Sequence, residues 1–84
     1  MKRVRIRYFA SVREALGKSD EALDTMAPTL AALRDELIAR GEPYAGALAR
    51  GRAVRMALDQ VMSAESAGLE EGSEVAFFPP VTGG

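Results

Sequence analysis

Hydrophobic and polar positions alternate from the start of the chain: Val4, Ile6 and Tyr8 interleave with Arg3, Arg5 and Arg7. That period of two predicts a strand with one buried and one wet face. Ser11 to Glu14 then has the S/T-x-x-E form of a capping box, Val12 and Leu16 stand one helical turn apart, and Gly17 offers a C′ residue, so a short helix is predicted. Lys18 to Asp20 reads as a turn. Glu21 to Thr25 alternates weakly around Leu23, its only sizeable apolar anchor, as an edge strand would. The strongest helix follows Pro28: Thr29 can cap it, Leu30, Leu33, Leu37 and Ile38 form a helical stripe, Glu36 and Arg40 are spaced for an i,i+4 ion pair, and Gly41 ends it. Glu42-Pro43 restarts a shorter helix with proline at its first position, Tyr44 and Leu48 on one face and Gly51 as its stop.

Beyond that, Val54, Met56 and Leu58 alternate as a third strand, and Asp59-Gln60 turns it into a stub at Val61-Met62. Ser63 to Gly68 is loop-like, Leu69 is a lone anchor, Glu70 to Ser73 is a turn and Glu74 to Phe78 is the last strand. The main helix lies between an early strand pair and the later strands, so it packs across one face and leaves the first and last strands parallel and central. The predicted class is α+β, a β-grasp arrangement with a mixed sheet of about five strands and helices on one face.

Composition narrows the chemistry. The 84 residues suit one small domain spanning 1–84, with residues 79–84 as an extended tail. No Cys and no His means that the usual zinc ligands, the thiol nucleophile and the imidazole base are all missing, which argues against an enzyme acting alone. The absence of cysteine fits a reducing cytoplasm. Eleven Lys plus Arg against 12 Asp plus Glu create no field suited to nucleic acid, and no stretch approaches the roughly 20 apolar residues of a membrane span. The basic start alternates instead of leading into an apolar run, unlike a signal peptide.

The uncharged stretch from Val75 to Gly84 stands apart. Pro79-Pro80 has no N–H to offer a ladder and favours polyproline II, so the sheet must stop there and the chain must leave it extended. Pro79 to Gly84 can then reach about 20 Å, enough to enter another protein's active site. Two closing glycines can be accidental fraying. Set against the stiff aromatic and proline approach, they read better as a working end, because glycine lets enclosing walls approach the backbone closely and accepts unusual φ/ψ values. The expected working group is the carboxylate of Gly84, reached through Pro79, Pro80, Val81, Thr82 and Gly83.

Val75-Ala76-Phe77-Phe78-Pro79-Pro80-Val81-Thr82-Gly83-Gly84 resembles the carboxyl-terminal signature of the molybdopterin synthase small subunits, ubiquitin-like sulfur carriers of the β-grasp fold. Tyr8 to Glu14 is similar to that family's first strand–helix junction, as are Pro28-Thr29 and Leu33 in the main helix, so the resemblance covers essentially the whole chain. Asp59, where the family often has Asn, and Gly72-Ser73, in place of Gly-Asp, are departures confined to predicted turns. The resemblance implies that a ubiquitin-activating-like adenylyltransferase spends ATP to adenylate Gly84, and that a sulfur donor protein converts it to a thiocarboxylate. The tail would then insert into the large synthase subunit and give sulfur to a cyclic pyranopterin precursor. No cofactor would be bound by the isolated chain. A carrier for thiamine synthesis or tRNA thiolation, and a plain ubiquitin-like interaction module, are the competing readings.

Phe77 and Phe78 are adjacent, so in a strand their rings point to opposite faces. Val75 and Phe77 are assigned to the core beneath the helix, which leaves Phe78 as an interface candidate. Phe9 and Arg13 flank the end of the first strand near the tail and join it as candidates, with core and surface readings both open. Arg3, Arg5 and Arg7 belong to the face opposite the helix, read first as solvated and second as a basic patch for an acidic partner.

Overall fold

The alternation that marks the strands also decides which face each one buries. The computed structural model describes residues 1–80. In it β1 (Lys2–Tyr8) buries Val4, Ile6 and Tyr8 and leaves Arg3, Arg5 and Arg7 in solvent. It is followed by α1 (Ala10–Leu16), β2 (Asp20–Thr25), α2 (Leu30–Ile38), α3 (Tyr44–Ala47), β3 (Arg55–Leu58), β4 (Val61–Met62) and β5 (Glu74–Phe78). The strands form one five-stranded sheet in the order β2-β1-β5-β3-β4. β1 and β5 run parallel, with Ile6 opposite Val75 and Tyr8 opposite Phe77, while the other three pairings are antiparallel. This is the expected β-grasp arrangement, with the first and last strands at the centre and β2 at an edge.

One face of the sheet carries the core. Val4, Ile6, Tyr8, Met56, Val75 and Phe77 meet Leu30, Leu33 and Leu37 of α2, Val12 and Leu16 of α1, and Leu48 after α3. Tyr8 and Phe77, paired across the parallel ladder, stack with ring centroids 6.1 Å apart. Leu69, alone in its loop, is buried and joins the same core. The other face is polar along β1 and β2, where Arg3 pairs with Asp24 at 2.9 Å and Arg5 with Asp20 at 3.0 Å. These pairs are exposed and add little stability, but they charge the β2 edge against unwanted strand pairing.

The turns explain how β3 is held beside β5. Asp59 and Gln60 have φ of 49° and 69°, the two left-handed positions that a two-residue hairpin loop needs. Asp59 also grips β5 twice: its N–H donates to the Glu74 carbonyl at 2.8 Å and its Oδ1 accepts from the Glu74 N–H at 3.0 Å. The departure from Asn at this position therefore leaves the turn intact.

Several local expectations are corrected. The capping box is not made: Phe9 is the N-cap of α1 and has no side-chain cap bond, and Ala10, at φ 51°, starts the helix ahead of Ser11. Thr29 does cap α2, accepting from the Ala32 N–H at 3.2 Å. The Glu36–Arg40 pair is replaced by tertiary partners, since Glu36 accepts from the Thr25 hydroxyl at 2.6 Å and Arg40 reaches Glu21 at 3.2 Å. α2 closes at Ile38, and Gly41, at φ 87°, serves the turn beyond it. Pro43 precedes α3 instead of opening it, and β3 begins at Arg55, with Val54 half-buried before it.

Phe77 is fully buried at the centre of the sheet. Phe77→Ala should cost about 3–5 kcal/mol, the scale of aromatic truncation in a packed core. Urea unfolding should show a lower midpoint with an unchanged slope.

Candidate functional site

The end of β5 is where the fold releases the tail. Phe9 N–H donates to the Phe77 carbonyl at 3.1 Å, continuing the parallel ladder one step past β1. Pro79 and Pro80 follow Phe78 and can add no donor, so the chain leaves the sheet between β1 and β3, its two central neighbours. Both prolines are half-buried. Val81, Thr82, Gly83 and Gly84, which the sequence reading makes the working end, lie outside the described residues.

Register defines the face around this exit. Val75 and Phe77 point into the core, so Ala76 and Phe78 point to the opposite face. Ala76 lies opposite Arg7 on one side and Ala57 on the other, Ala57 lies opposite Met62, and Phe78 lies opposite Arg55. Two alanines thus floor a shallow surface whose rim is Phe9, Phe78 and Met62, with Arg7 and Arg55 beside them. Phe9 is 38% exposed and Met62 60% exposed, while Phe78 is half-buried. The Arg7 guanidinium lies 5.2 Å from the Phe9 ring centroid and covers one side of it. The structure therefore brings Phe9 and Phe78 together at the tail's root. Arg13 is exposed on α1, and its N–H donates to the Phe9 carbonyl at 3.3 Å; no contact joins its side chain to this surface among the described residues. Met62 escaped the sequence reading, which took it only as part of a strand stub; its pairing with Ala57 is what turns it to the same face as Phe78.

On the helix side, the tail's root borders a cleft of about 300 Å³ lined by Ser11, Val12 and Ala15 of α1, Ala47 of α3, Arg52 and Pro79. Two charged residues unremarked in the sequence hold its surroundings. Arg34 is buried in α2 and donates to the carbonyls of Leu48 and Ala49, both at 2.8 Å, and of Arg52 at 3.3 Å. Burial lowers its pKa, but a guanidinium so bonded stays charged and satisfies loop carbonyls that precede β3. Glu21 is the second. Its Oε2 accepts from the hydroxyls of Tyr8 at 2.8 Å and Tyr44 at 2.7 Å, and its Oε1 takes Arg40 at 3.2 Å and stands 3.8 Å from Lys18 Nζ. Burial alone would raise the Glu21 carboxyl; hydrogen bonds from Tyr44, Tyr8 and Arg40, with the Lys18 charge, outweigh it and hold the pKa below the ordinary carboxylate range. Burial and this bond to Glu21 push the Tyr8 hydroxyl far above an ordinary phenol. Among the described residues, no group of three His, Cys, Asp or Glu comes together to hold a metal, and no helix is long and apolar enough to cross a membrane.

The sequence model of the ThiS family matches residues 6–84. The chain belongs to the ThiS family. This ThiS-family chain is 38% identical to the molybdopterin synthase sulfur carrier subunit of Escherichia coli (strain K12), over 81 residues that make up 96% of this chain and 99% of that protein. Among solved structures it is similar to Haloferax volcanii small archaeal modifier protein 1, with a TM-score of 0.77 and 20% identity over 96% of this chain and 100% of the other. It is also similar to a chain in the complex of subunits 1 and 2 of molybdopterin-converting factor from Helicobacter pylori 26695, with a TM-score of 0.65 and 21% identity over 98% and 99% of the two chains. At such identities the two structures speak for the β-grasp fold.

The Glu21 cluster has a pH signature. A carboxyl whose folded pKa is lowered contributes stability that is present above its unfolded pKa and is lost as pH falls through the folded value. Glu21→Gln should therefore be less stable than wild type at neutral pH, and the gap should close as pH falls below about 4, near and under the unfolded carboxylate value. Thermal melts of both proteins across that range give the comparison; a gap that stays constant with pH would remove the charge from the explanation.

Proposed function

We propose that this protein is the sulfur-carrier subunit of a molybdopterin synthase, with the carboxyl group of Gly84 as the group that carries sulfur. The observation that carries this reading is the full-length likeness, at 38% identity, to a molybdopterin synthase sulfur carrier subunit. The fold supplies the physical support: a rigid sheet releases an uncharged, proline-stiffened strand at its centre, beside an apolar surface a partner can cover.

A carboxylate resists nucleophiles through its charge and resonance, so the first step has to replace an oxygen by a leaving group. In the proposed sequence a carboxylate oxygen of Gly84 attacks the α-phosphorus of ATP on an activating partner, pyrophosphate leaves, and an acyl-adenylate forms. The outer sulfur of a donor persulfide then attacks the carbonyl carbon; the new C–S bond replaces the bond to AMP. A second donor thiol cleaves the S–S bond, is oxidised to a disulfide with the first, and leaves the thiocarboxylate on Gly84. The large synthase subunit would receive the tail and supply the acid–base groups, with the pterin precursor as substrate. What this chain contributes is position: a reactant held at the end of a short tether.

Phe9, Phe78 and Met62, around the root, are the residues through which partners would hold the body while the tail is inserted. The residues that would occupy the partner's channel are Pro79, Pro80, Val81, Thr82 and Gly83. ATP is met only on the activating partner, and no cofactor is assigned to the isolated chain.

Native carrier should show a gain of about 16 Da on its carboxyl-terminal peptide, oxygen replaced by sulfur, when its intact mass is measured from the source cell. Adding one residue after Gly84, or deleting it, displaces the reacting carbon by about 3.3 Å and should abolish sulfur transfer without changing the melting temperature. Full transfer by either variant would reject the tail as the reacting group, and a neighbouring thiazole-synthesis gene would favour the thiamine carrier instead. Phe78→Ala should weaken binding to the large subunit by about 2 kcal/mol, the loss typical of an interface aromatic, with little cost in folding. Titration against that subunit checks it.

A further inference from the structure

An activated carboxyl end is an acyl electrophile tethered to its own protein, and a short tether keeps its end at roughly millimolar effective concentration around its root. Any amine within reach then competes with sulfur. The chain holds only two lysines, Lys2 and Lys18, against nine arginines, and a guanidinium stays protonated at neutral pH and has no lone pair to offer. Lys2 stands at the far end of β1, about 20 Å along the strand from Tyr8, with Met1 adjoining it. Its Nζ donates to the carbonyls of Ala27 at 2.9 Å and Leu69 at 3.3 Å.

Lys18 is different, because it sits at the tail's end of the sheet. The carbonyl of Ser19 accepts from the Tyr8 N–H at 2.8 Å, and Tyr8 lies opposite Phe77. Ser19 is thus two strand spacings, about 10 Å, from Phe77, a span shorter than the roughly 20 Å that six extended residues from Pro79 onward can cover. In the wall of the cleft bordered by Pro79, Ala47 stands one helical turn after Tyr44, the residue Lys18 touches. Yet the Lys18 amine is engaged. Nζ donates to the Tyr44 hydroxyl at 2.9 Å, stands 3.8 Å from Glu21 Oε1 and lies 5.5 Å from the Tyr44 ring centroid. Tyr44 in turn donates to Glu21 at 2.7 Å, and Tyr8 and Arg40 bond the same carboxylate. The bond to Tyr44 comes first among the causes that raise the Lys18 pKa, with the Glu21 charge in support and Arg40 opposing.

We propose that Tyr44 and Glu21 hold Lys18 as an unreactive ammonium, so that the activated end of this chain is passed to sulfur instead of to its own amine. Tyr44 and Glu21 are thus positioning residues that set the choice of acceptor, an inference that rests on Gly84 being the activated group. The reaction they suppress is aminolysis. The neutral Lys18 nitrogen would attack the Gly84 carbonyl carbon, a C–N bond would form, the leaving group would depart with its electron pair, and the nitrogen's proton would pass to solvent.

The test uses full-length chain carrying Gly84 as a small-thiol thioester, made by intein cleavage, so that no activating enzyme is needed. Intact mass and peptide mapping in mildly alkaline buffer follow its fate. Wild type should return mainly to the carboxylate by hydrolysis. Tyr44→Phe keeps the ring, drops the hydroxyl and should form the Gly84–Lys18 amide about two- to fivefold faster, the scale of losing one solvent-exposed contact to a charged group. Adding Lys18→Arg to that variant should return amide formation to the wild-type level. Ala15→Lys, at an exposed position in the cleft wall, presents an unpaired amine in an otherwise unchanged fold and should be acylated. The proposal is overturned if wild type forms the Lys18 amide as fast as Tyr44→Phe, or if Ala15→Lys stays unmodified. Failure of the sulfur-carrier reading would show separately, as native protein without the 16 Da gain on its terminal peptide.

Discussion

The parallel contact between β1 and β5 carries both the core and the exit of the tail. It buries Ile6 against Val75 and Tyr8 against Phe77 in the middle of the sheet, where both strands have neighbours on either side. Because the two strands run the same way, β1 ends beside the point where β5 ends. Phe9, just past β1, therefore comes to lie next to Phe78, and the strand–helix junction and the tail share one end of the molecule. An antiparallel pairing would have sent Phe9 to the opposite end.

From that constraint the two faces acquire different jobs. The helix face is filled by Leu30, Leu33, Leu37 and Leu48, and at one side of its rim the polar groups of Glu21, Tyr44 and Lys18 gather. The other face has no helix over it. Towards β2 it is neutralised by arginine–aspartate pairs, whereas towards β4 it turns apolar, with Ala76, Ala57 and Met62 in one row. The division between a solvated half and a dockable half of one sheet face thus falls along β1 and β5, beside the exit.

The elements were legible in the sequence because their signals are local. Period-two runs at Val4 to Tyr8 and Glu74 to Phe78, and the leucine stripe of α2, need no knowledge of the rest of the chain, and the parallel central pair followed from element order. The missed features are those decided by tertiary partners. Glu36 and Arg40 have ideal spacing for each other, yet Thr25 and Glu21 offer better-fixed partners from β2. Arg34 left a signal that could have been read: it falls on the buried stripe between Leu33 and Leu37, where a guanidinium must find carbonyls. Met62 left none, because its face depends on pairing with Ala57. Of the site, the root at Phe9 and Phe78 was legible from alternation and proline, whereas the Glu21 cluster joins residues from β1, β2, α3 and the segments beside them and has no sequence pattern.

The central position of β5 also bears on when this protein can fold. Its partners in β1 lie near the opposite end of the chain, as in the pairing of Arg5 with Glu74, so the innermost contacts of the sheet close the longest loop the chain offers. Loop closure of that kind comes late and slowly compared with the local hairpin at Asp59-Gln60. During synthesis, β1 can find β2 early but must wait for almost the last residues before its other edge is covered. A chain cut off anywhere before Phe77 would thus lack a sheet centre as well as a tail, and would expose the unpaired edge of β1 that aggregation and proteolysis act on.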